Sequence, residues 1–279
     1  MGDNPVIENS EWTIRTFYRF EELEAAHLPI LQSELEAAGI QNNILGTVLL
    51  SHEGCNATIS GSGPEVQTFF EVVQRHFAGI PCQDSYAKKN PFTHFRVPIK
   101  DQIVQARDAE LQPLNNFRGQ KAPHEWDAIR EMVRKGEAQM VDVRNSYEIE
   151  IGTFPEATDP QTRTFKEFSD FLDTETGTSL DPSKPTAIFC TGGIRCEKAR
   201  MDMEQRGFTD VWQLKGGILA YLKQTGSEGF QGECFVFDDR VALDQELQAS
   251  TTFKICKSCG GPWDPTKDQH NCQNGRVAP

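Results

Sequence analysis

The sequence predicts an α/β protein with two domains and a cysteine-rich tail. Residues 13–101 contain segments in the order β-α-β-β-α-β. Residues 124–232 alternate between short apolar strands and helices, which is typical of a mainly parallel sheet. The last part, 233–279, is rich in cysteine and poor in apolar residues. We therefore also expect an N-terminal lead at 1–12 and a linker at 102–123.

The first domain begins with IRTFYRF at 14–20, whose alternation predicts a strand. The next segment, EELEAAHLPILQSELEAAGI, predicts a helix that ends at Gly39, and residues 43–61 predict two strands around a tight turn. A proline opens a second predicted helix, PEVQTFFEVVQRHF, and a last strand is expected near HFRVPIK at 94–100. This order is the ferredoxin-like plan.

The second domain begins with HEWDAIREMVRKGEA at 124–138, an amphipathic segment that predicts a helix before the strand QMVDVR. Residues 161–172 predict another helix, and prolines then precede an apolar strand at 187–189. Functional sites of open parallel sheets lie at the carboxyl ends of the strands. Cys190 lies at such an end, in the segment CTGGIRCEKAR.

Cys190 begins a loop that predicts a nucleophile in an anion-binding site. Backbone N–H groups, the start of a helix near Cys196 and the guanidinium of Arg195 all favour the thiolate form of a cysteine. Glycines permit the positive φ angles that such a loop needs. The alternative is a structural cysteine at a strand end, which this spacing disfavours. The residues expected to supply N–H groups are Thr191, Gly192, Gly193 and Ile194.

Three further residues are expected to support this loop. Asp142 and Arg144, at the end of QMVDVR, are predicted to brace it by ion pairing or hydrogen bonding. Cys196 has two interpretations: a resolving thiol that attacks an oxidised Cys190, or a buried residue of the first helical turn.

The net charge of −13 over 279 residues disfavours nonspecific binding to nucleic acid, which needs clustered cations. Local clusters can override the total. Lys198 and Arg200 follow the active loop, and Lys88 and Lys89 form a second group in the first domain. These residues are either RNA-binding candidates or ordinary solvated charges.

Composition also bears on location. No apolar stretch is long enough to span a bilayer, and the acidic start MGDNPVIENSEW does not resemble a signal peptide. We therefore expect a cytoplasmic protein without a membrane partner, whose eight cysteines serve catalysis or metal binding rather than disulfides. No nucleotide-cofactor motif is evident.

The tail contains four ligands of the kind that tetrahedral zinc prefers: Cys256, Cys259, His270 and Cys272. The first pair has knuckle spacing, whereas His270-x-Cys272 is short, so a zinc site here would be irregular. A reduced, metal-free tail is the alternative, and Cys234 is a substitute ligand.

The segment from Cys190 to Arg195 resembles the active loop of the rhodanese superfamily, in which the cysteine carries a sulfur species. MVDVRNSYEIEIGTFPEA at 140–157 and VWQLKGGILAYL at 211–222 resemble the flanking signatures of that superfamily, although Thr153 stands where a histidine is usual. Related cysteine phosphatases keep five residues between Cys and Arg. The four found here argue against phosphate as a substrate.

The front domain resembles the acylphosphatase-like domain found in front of one group of rhodanese proteins, and its combination with the rhodanese domain and the tail resembles the tRNA uridine(34) hydroxylase family. GCNATISG at 54–61, the IGTFPEA and TFKEF segments, and CTGGIRCEKAR carry this resemblance. It implies oxygen-dependent formation of 5-hydroxyuridine at the wobble position, with the tRNA anticodon loop as partner and molecular oxygen as co-substrate. It also implies that Cys190 is the required cysteine.

Two questions stay open at this point. Cys190 either adds to C6 of uracil or reacts as a persulfide or sulfenic species. The loop considered alone indicates a competing function, a sulfurtransferase that moves sulfane sulfur through a Cys190 persulfide.

Overall fold

The computed structural model describes residues 12–114, 118–226 and 229–267. The chain divides into two compact units, Met1–Ile103 and Val104–Pro279. Of the predicted N-terminal lead, only the last residue falls within the described part, where it begins the first strand.

The first unit is an α+β domain whose five-stranded sheet has the order β4-β1-β3-β2-β5. Strand β1 pairs antiparallel with both β3 and β4, as expected for the ferredoxin-like plan. The elements are β1 (Trp12–Phe20), α1 (Leu28–Gln41), β2 (Leu45–Ser51), β3 (Gly54–Gly61), α2 (Gly63–His76), β4 (Cys82–Ala87) and β5 (Phe95–Arg96).

The prediction of the last strand of this plan is wrong. The strand expected at 94–100 is only the two-residue β5, which runs parallel to β2. The strand that completes the plan is β4, at the opposite edge of the sheet. Its sequence CQDSYA contains no buried residue, so it lacks the apolar alternation that identifies a half-buried strand.

Helix α1 begins later than predicted. Residues 21–27 are not helical, and the helix begins at Leu28 with Pro29 in its first turn. Proline is tolerated in a first turn, but its ring disfavours helical backbone just before it. The predicted end at Gly39 is also wrong, because this residue lies inside the helix, where the ring of Phe95 leaves no room for a Cβ atom.

The second unit is an α/β domain with a parallel four-stranded sheet in the order β6-β10-β9-β7, which confirms the predicted class. Its elements as far as the last helix are β6 (Gln120–Lys121), α3 (Trp126–Arg134), β7 (Gln139–Asp142), α4 (Ser146–Ile149), β8 (Gly152–Thr153), α5 (Phe168–Leu172), α6 (Glu175–Thr178), β9 (Thr186–Phe189), α7 (Ile194–Gln205), β10 (Val211–Leu214) and α8 (Gly217–Thr225).

Strand β9 lies between two hydrophobic cores. Ile188 packs in a core with residues of α5 and α7, whereas Ala187 and Phe189 pack in another with residues of α3 and α8. Successive side chains of a strand point to opposite faces, so helices cover both faces of the sheet. The strand that leads to Cys190 is therefore buried on both sides.

Two predicted helices of this unit are shorter than expected. Helix α3 ends at Arg134 rather than at residue 138, since Gly136 takes a φ of +74°, a conformation that terminates helices. In the segment 161–172, Gln161 has a φ of +56°, and helical backbone begins only at Phe165, first as a 3-10 turn and then as α5. Helix α4 was not predicted, because four residues are too few for a periodic pattern.

After α8 the chain forms small antiparallel pairs. The strands are β11 (Gln231–Gly232), which pairs with β8, then β12 (Cys234–Phe235) with β13 (Ala242–Leu243), and β14 (Lys254–Ile255) with β15 (Pro262–Trp263). Phe230 and Cys234 belong to the core on the α3 and α8 face. Within the described part of the chain, no helix is long and apolar enough to cross a membrane.

Candidate active site

The loop between β9 and α7 holds Cys190 at the carboxyl edge of the parallel sheet. Gly193 takes a φ of +107°, a positive angle of the kind predicted for a glycine of this loop. The start of α8 supports the loop from outside: the N–H of Ile218 donates to the carbonyl oxygen of Cys190 at 3.0 Å. A Cβ atom on Gly217 would lie only 2.5 Å from the same oxygen, so glycine lets α8 approach this closely.

The Cys190 thiol is almost fully buried, with 1% of the residue exposed. Burial raises the pKa of this thiol. A hydrogen bond with the Cys196 thiol, the positive charge of Arg195 and the N–H of Gly193, 3.1 Å from the sulfur, outweigh burial and lower the pKa to about 6. The thiolate is therefore the main form at neutral pH, which is the form that acts as a nucleophile.

The loop residues that were predicted to supply N–H groups differ in how the structure places them. The N–H of Gly193 donates to the sulfur, as expected, and the N–H of Arg195 does so as well. Thr191, Gly192 and Ile194 are half-buried.

Glu148 holds the guanidinium of Arg195 through two hydrogen bonds, of 2.5 Å from Nη1 to Oε2 and 2.8 Å from Nη2 to Oε1. The Thr191 hydroxyl lies 3.3 Å from Nη2. Burial raises the pKa of Glu148, but the charge of Arg195 and its hydrogen bonds outweigh burial and lower it. Glu148 therefore stays ionised and orients the arginine whose charge stabilises the thiolate.

A role for Glu148 in the site was not predicted from the sequence. The signal was the acidic residue that follows Asp-x-Arg in the rhodanese signature. The segment NSYEIE contains both Glu148 and Glu150, and only the fold shows which of them contacts Arg195.

Cys196 lies fully buried in the first turn of α7, which agrees with one of its two interpretations. Burial and the neighbouring Cys190 thiolate both raise the pKa of its thiol. It therefore keeps its proton and serves as a hydrogen-bond donor to the Cys190 sulfur. Its role as a resolving thiol stays a prediction.

Asp142 and Arg144 form an ion pair with an N–O distance of 2.6 Å, and neither side chain is exposed. Arg144 also donates to the carbonyl oxygen of Gly152 at 2.6 Å, and the hydroxyl of Thr153 donates to Asp142 at 2.7 Å. The pair thus ties the end of β7 to β8. Thr153, at the position where rhodaneses usually have histidine, takes part in this bracing.

The prediction of a basic RNA-binding surface after the active loop is wrong. Lys198 is 0% exposed and Arg200 is 1% exposed, and Arg200 forms an ion pair with Glu204. Two buried side chains cannot contact RNA phosphates. In the first unit, Lys88 and Lys89 are both exposed.

In the tail, Cys256 and Cys259 lie at the turn that joins β14 and β15. The N–H of Cys256 donates to the carbonyl oxygen of Gly261, and the N–H of Gly260 donates to that of Cys256, both at 2.8 Å. Within residues 12–114, 118–226 and 229–267, no three potential ligands cluster around a metal position. The other two predicted ligands, His270 and Cys272, lie outside the described residues. Cys234, the predicted substitute, is instead a core residue.

A parallel α/β domain with a thiolate at a strand end, followed by an arginine that closes the loop, defines a rhodanese-type cysteine site. Sequence comparison agrees: residues 125–224 match the rhodanese-like domain family. Residues 12–103 match the UPF0176 acylphosphatase like domain, and 231–276 match the rhodanase C-terminal domain.

Longer matches identify the family more narrowly. The tRNA uridine(34) hydroxylase of Bdellovibrio bacteriovorus is 37% identical over 258 residues, which cover 91% of this chain and 72% of that protein. The enzymes of the same name from Rhizobium etli and a Synechococcus species are 36% and 37% identical, covering 92% of this chain and 82% and 81% of those proteins. This chain belongs to the tRNA uridine(34) hydroxylase family.

Proposed function

We propose that this chain hydroxylates uridine 34 of tRNA at C5, with Cys190 as the nucleophile and molecular oxygen as co-substrate. One observation carries the proposal. A cysteine with a pKa of about 6 lies in the active loop of a chain that aligns over 91–92% of its length with relatives named tRNA uridine(34) hydroxylase.

The thiolate of Cys190 adds to C6 of the uracil ring. This addition converts the C5–C6 double bond into an enolate that is nucleophilic at C5, the carbon that receives oxygen. Loss of the C5 proton and departure of the sulfur then restore the ring and the thiolate. Transfer of one oxygen atom from O2 also consumes two electrons and two protons from an external reductant, and the second oxygen atom leaves as water.

The surroundings of Cys190 support this role. Arg195 and Cys196 both stabilise the thiolate, and Glu148 keeps the arginine in place. The sulfur is recessed, so a base must leave its stack before it can reach the thiol. Unpaired bases of an anticodon loop meet this need at a lower cost than bases of a duplex.

Exposed cations of the first unit are the proposed contacts for tRNA phosphates. Lys88 and Lys89 follow β4 next to each other on the surface. Lysine side chains on a surface bind phosphates without reading sequence. They therefore contribute affinity, whereas recognition of the uridine belongs to the site around Cys190.

The test is mass spectrometry of tRNA nucleosides from cells that lack this gene, complemented with the wild type or with Cys190→Ala. We expect 5-hydroxyuridine or its derivatives to return with the wild type alone. If the wild type restores none, the proposal fails. In that case, cyanide-releasable sulfur on Cys190 would identify the sulfurtransferase instead.

We also propose that the tail binds a structural zinc ion through Cys256 and Cys259, with His270 and Cys272 as the remaining ligands. The turn between β14 and β15 supports this, because it carries two cysteines with C-x-x-C spacing on a glycine-rich hairpin. Two-residue strands give little stability, and no residue of this hairpin belongs to the three hydrophobic cores. A zinc ion would contribute binding energy to the folding of this hairpin.

A further inference from the structure

An aromatic ring lies exposed beside the active-site arginine. Phe237 is 44% exposed, and among the described residues of the second unit no other phenylalanine, tyrosine or tryptophan is exposed to this extent. The Cζ atom of Arg195 lies 5.9 Å from the centroid of its ring. Phe237 therefore borders the loop that holds Cys190.

The ring is held from behind by other aromatic side chains. It packs in a T-shaped arrangement with Phe235, with centroids 5.0 Å apart and planes at 87°. Phe235 in turn contacts Tyr147, which precedes Glu148, with centroids 5.4 Å apart. Phe235 is 2% exposed and Tyr147 is half-buried, so Phe237 is the most exposed member of this row.

The turn that carries Phe237 is also fixed. Asp238 and Arg240 form an ion pair of 2.6 Å, with side chains only 2% and 6% exposed. The backbone N–H of Val241 donates to Asp238, and that of Val236 donates to Val241, both at 2.9 Å. The backbone that carries the ring is thus held before any ligand arrives, which lowers the entropy cost of binding.

We propose that Phe237 is the stacking platform for the target uracil and places that base beside the Cys190 loop. Proteins bind unpaired bases by stacking them on exposed aromatic rings. This inference rests on the proposed function, because it takes the ligand to be the uridine that the chain modifies.

The experiment measures the affinity of the full chain for a tRNA anticodon stem-loop that carries either uridine or an abasic nucleotide at position 34. For the wild type, we expect the abasic RNA to bind about tenfold more weakly. For Phe237→Ala, the normal RNA should lose about tenfold in affinity and the abasic RNA should lose nothing further. Such non-additivity identifies a direct contact between the ring and the base.

Matched variants separate stacking from a structural role. Phe237→Tyr should keep wild-type affinity, because it retains an aromatic ring. Ile30→Ala, which shortens a 65% exposed apolar side chain in the first unit, should also behave as the wild type with both RNAs. The Cys190 pKa should be unchanged in Phe237→Ala. Equal loss for normal and abasic RNA in Phe237→Ala would overturn the inference.

The same experiment distinguishes this inference from the proposed function. If cells with the wild type contain 5-hydroxyuridine but Phe237→Ala shows no coupling to the base at position 34, only the stacking platform is wrong. If the coupling is present but no 5-hydroxyuridine forms, the platform stands and the hydroxylation proposal is wrong.

Discussion

Glu148 and Arg195 form a bidentate ion pair, with N–O distances of 2.5 and 2.8 Å, between a four-residue helix and the start of the helix after the active loop. Glu148 is fully buried and Arg195 is 6% exposed. The guanidinium whose charge stabilises the Cys190 thiolate is therefore held in position by a residue 47 positions away in the chain.

Glu148→Gln should destabilise the protein strongly. Removing one partner of a buried ion pair leaves the other charge uncompensated and costs about 3–5 kcal/mol. Urea unfolding measures the loss, and Glu150→Gln is the matched control. Burial opposes ionisation of Glu148, but Arg195 lowers its pKa below the ordinary 4.5, so the contribution of the pair is complete above pH 4.5 and lost as the pH falls below it. A stability of Glu148→Gln equal to that of the control would contradict this account.

Cys190 should titrate with a midpoint near pH 6, seen as the thiolate ultraviolet absorbance that the wild type has and Cys190→Ser lacks. In Cys196→Ala the midpoint should rise, because the anion loses a hydrogen-bond donor. Cys82→Ser removes an exposed thiol and should leave it unchanged. An unshifted midpoint in Cys196→Ala would mean that the thiol–thiol hydrogen bond does not stabilise the thiolate.

A tRNA that carries 5-fluorouridine at position 34 should form a covalent adduct with Cys190. The thiolate adds to C6, and the fluorine blocks the loss of a proton from C5 that would release the sulfur. A band of retarded mobility on a denaturing gel measures the adduct, which Cys190→Ser should lack. Absence of the adduct under conditions in which unmodified tRNA is hydroxylated would exclude C6 addition.

Lys88→Glu combined with Lys89→Glu should weaken tRNA binding by about tenfold or more and reduce its salt dependence, because fewer counterions are released. Lys184→Glu, at an exposed lysine before β9 and thus near the amino edge of the parallel sheet, is the control. Filter binding at several salt concentrations measures both effects. Equal weakening by the control would show that total charge, rather than this pair, determines the affinity.

The purified protein should contain about one zinc ion per chain. Cys256→Ser and Cys259→Ser should each abolish it, and Cys82→Ser should not, because Cys82 is an exposed thiol of the first unit. Elemental analysis by mass spectrometry gives the metal content. Zinc that is retained in both tail variants, or missing from the wild type, would refute the tail site.

Several elements could be predicted because their signals are local. The strand before Cys190 is a short apolar run, and Gly193 of the active loop has the positive φ angle that the sequence suggested. Strand β4 and helix α4 escaped prediction, since one is a polar edge strand and the other a single turn. Their formation depends on partners supplied by the rest of the domain.

The sequence alone determined the class of the fold and the positions of the active-loop cysteine and arginine, because spacing within a six-residue loop is a property of neighbouring residues. Only the tertiary structure decided that Glu148 pairs with this arginine, that Lys198 and Arg200 are buried, and that Phe237 lies beside the loop. Those relationships join segments far apart in the chain. They arise from the packing of helices on both faces of the sheet, and no local pattern encodes them.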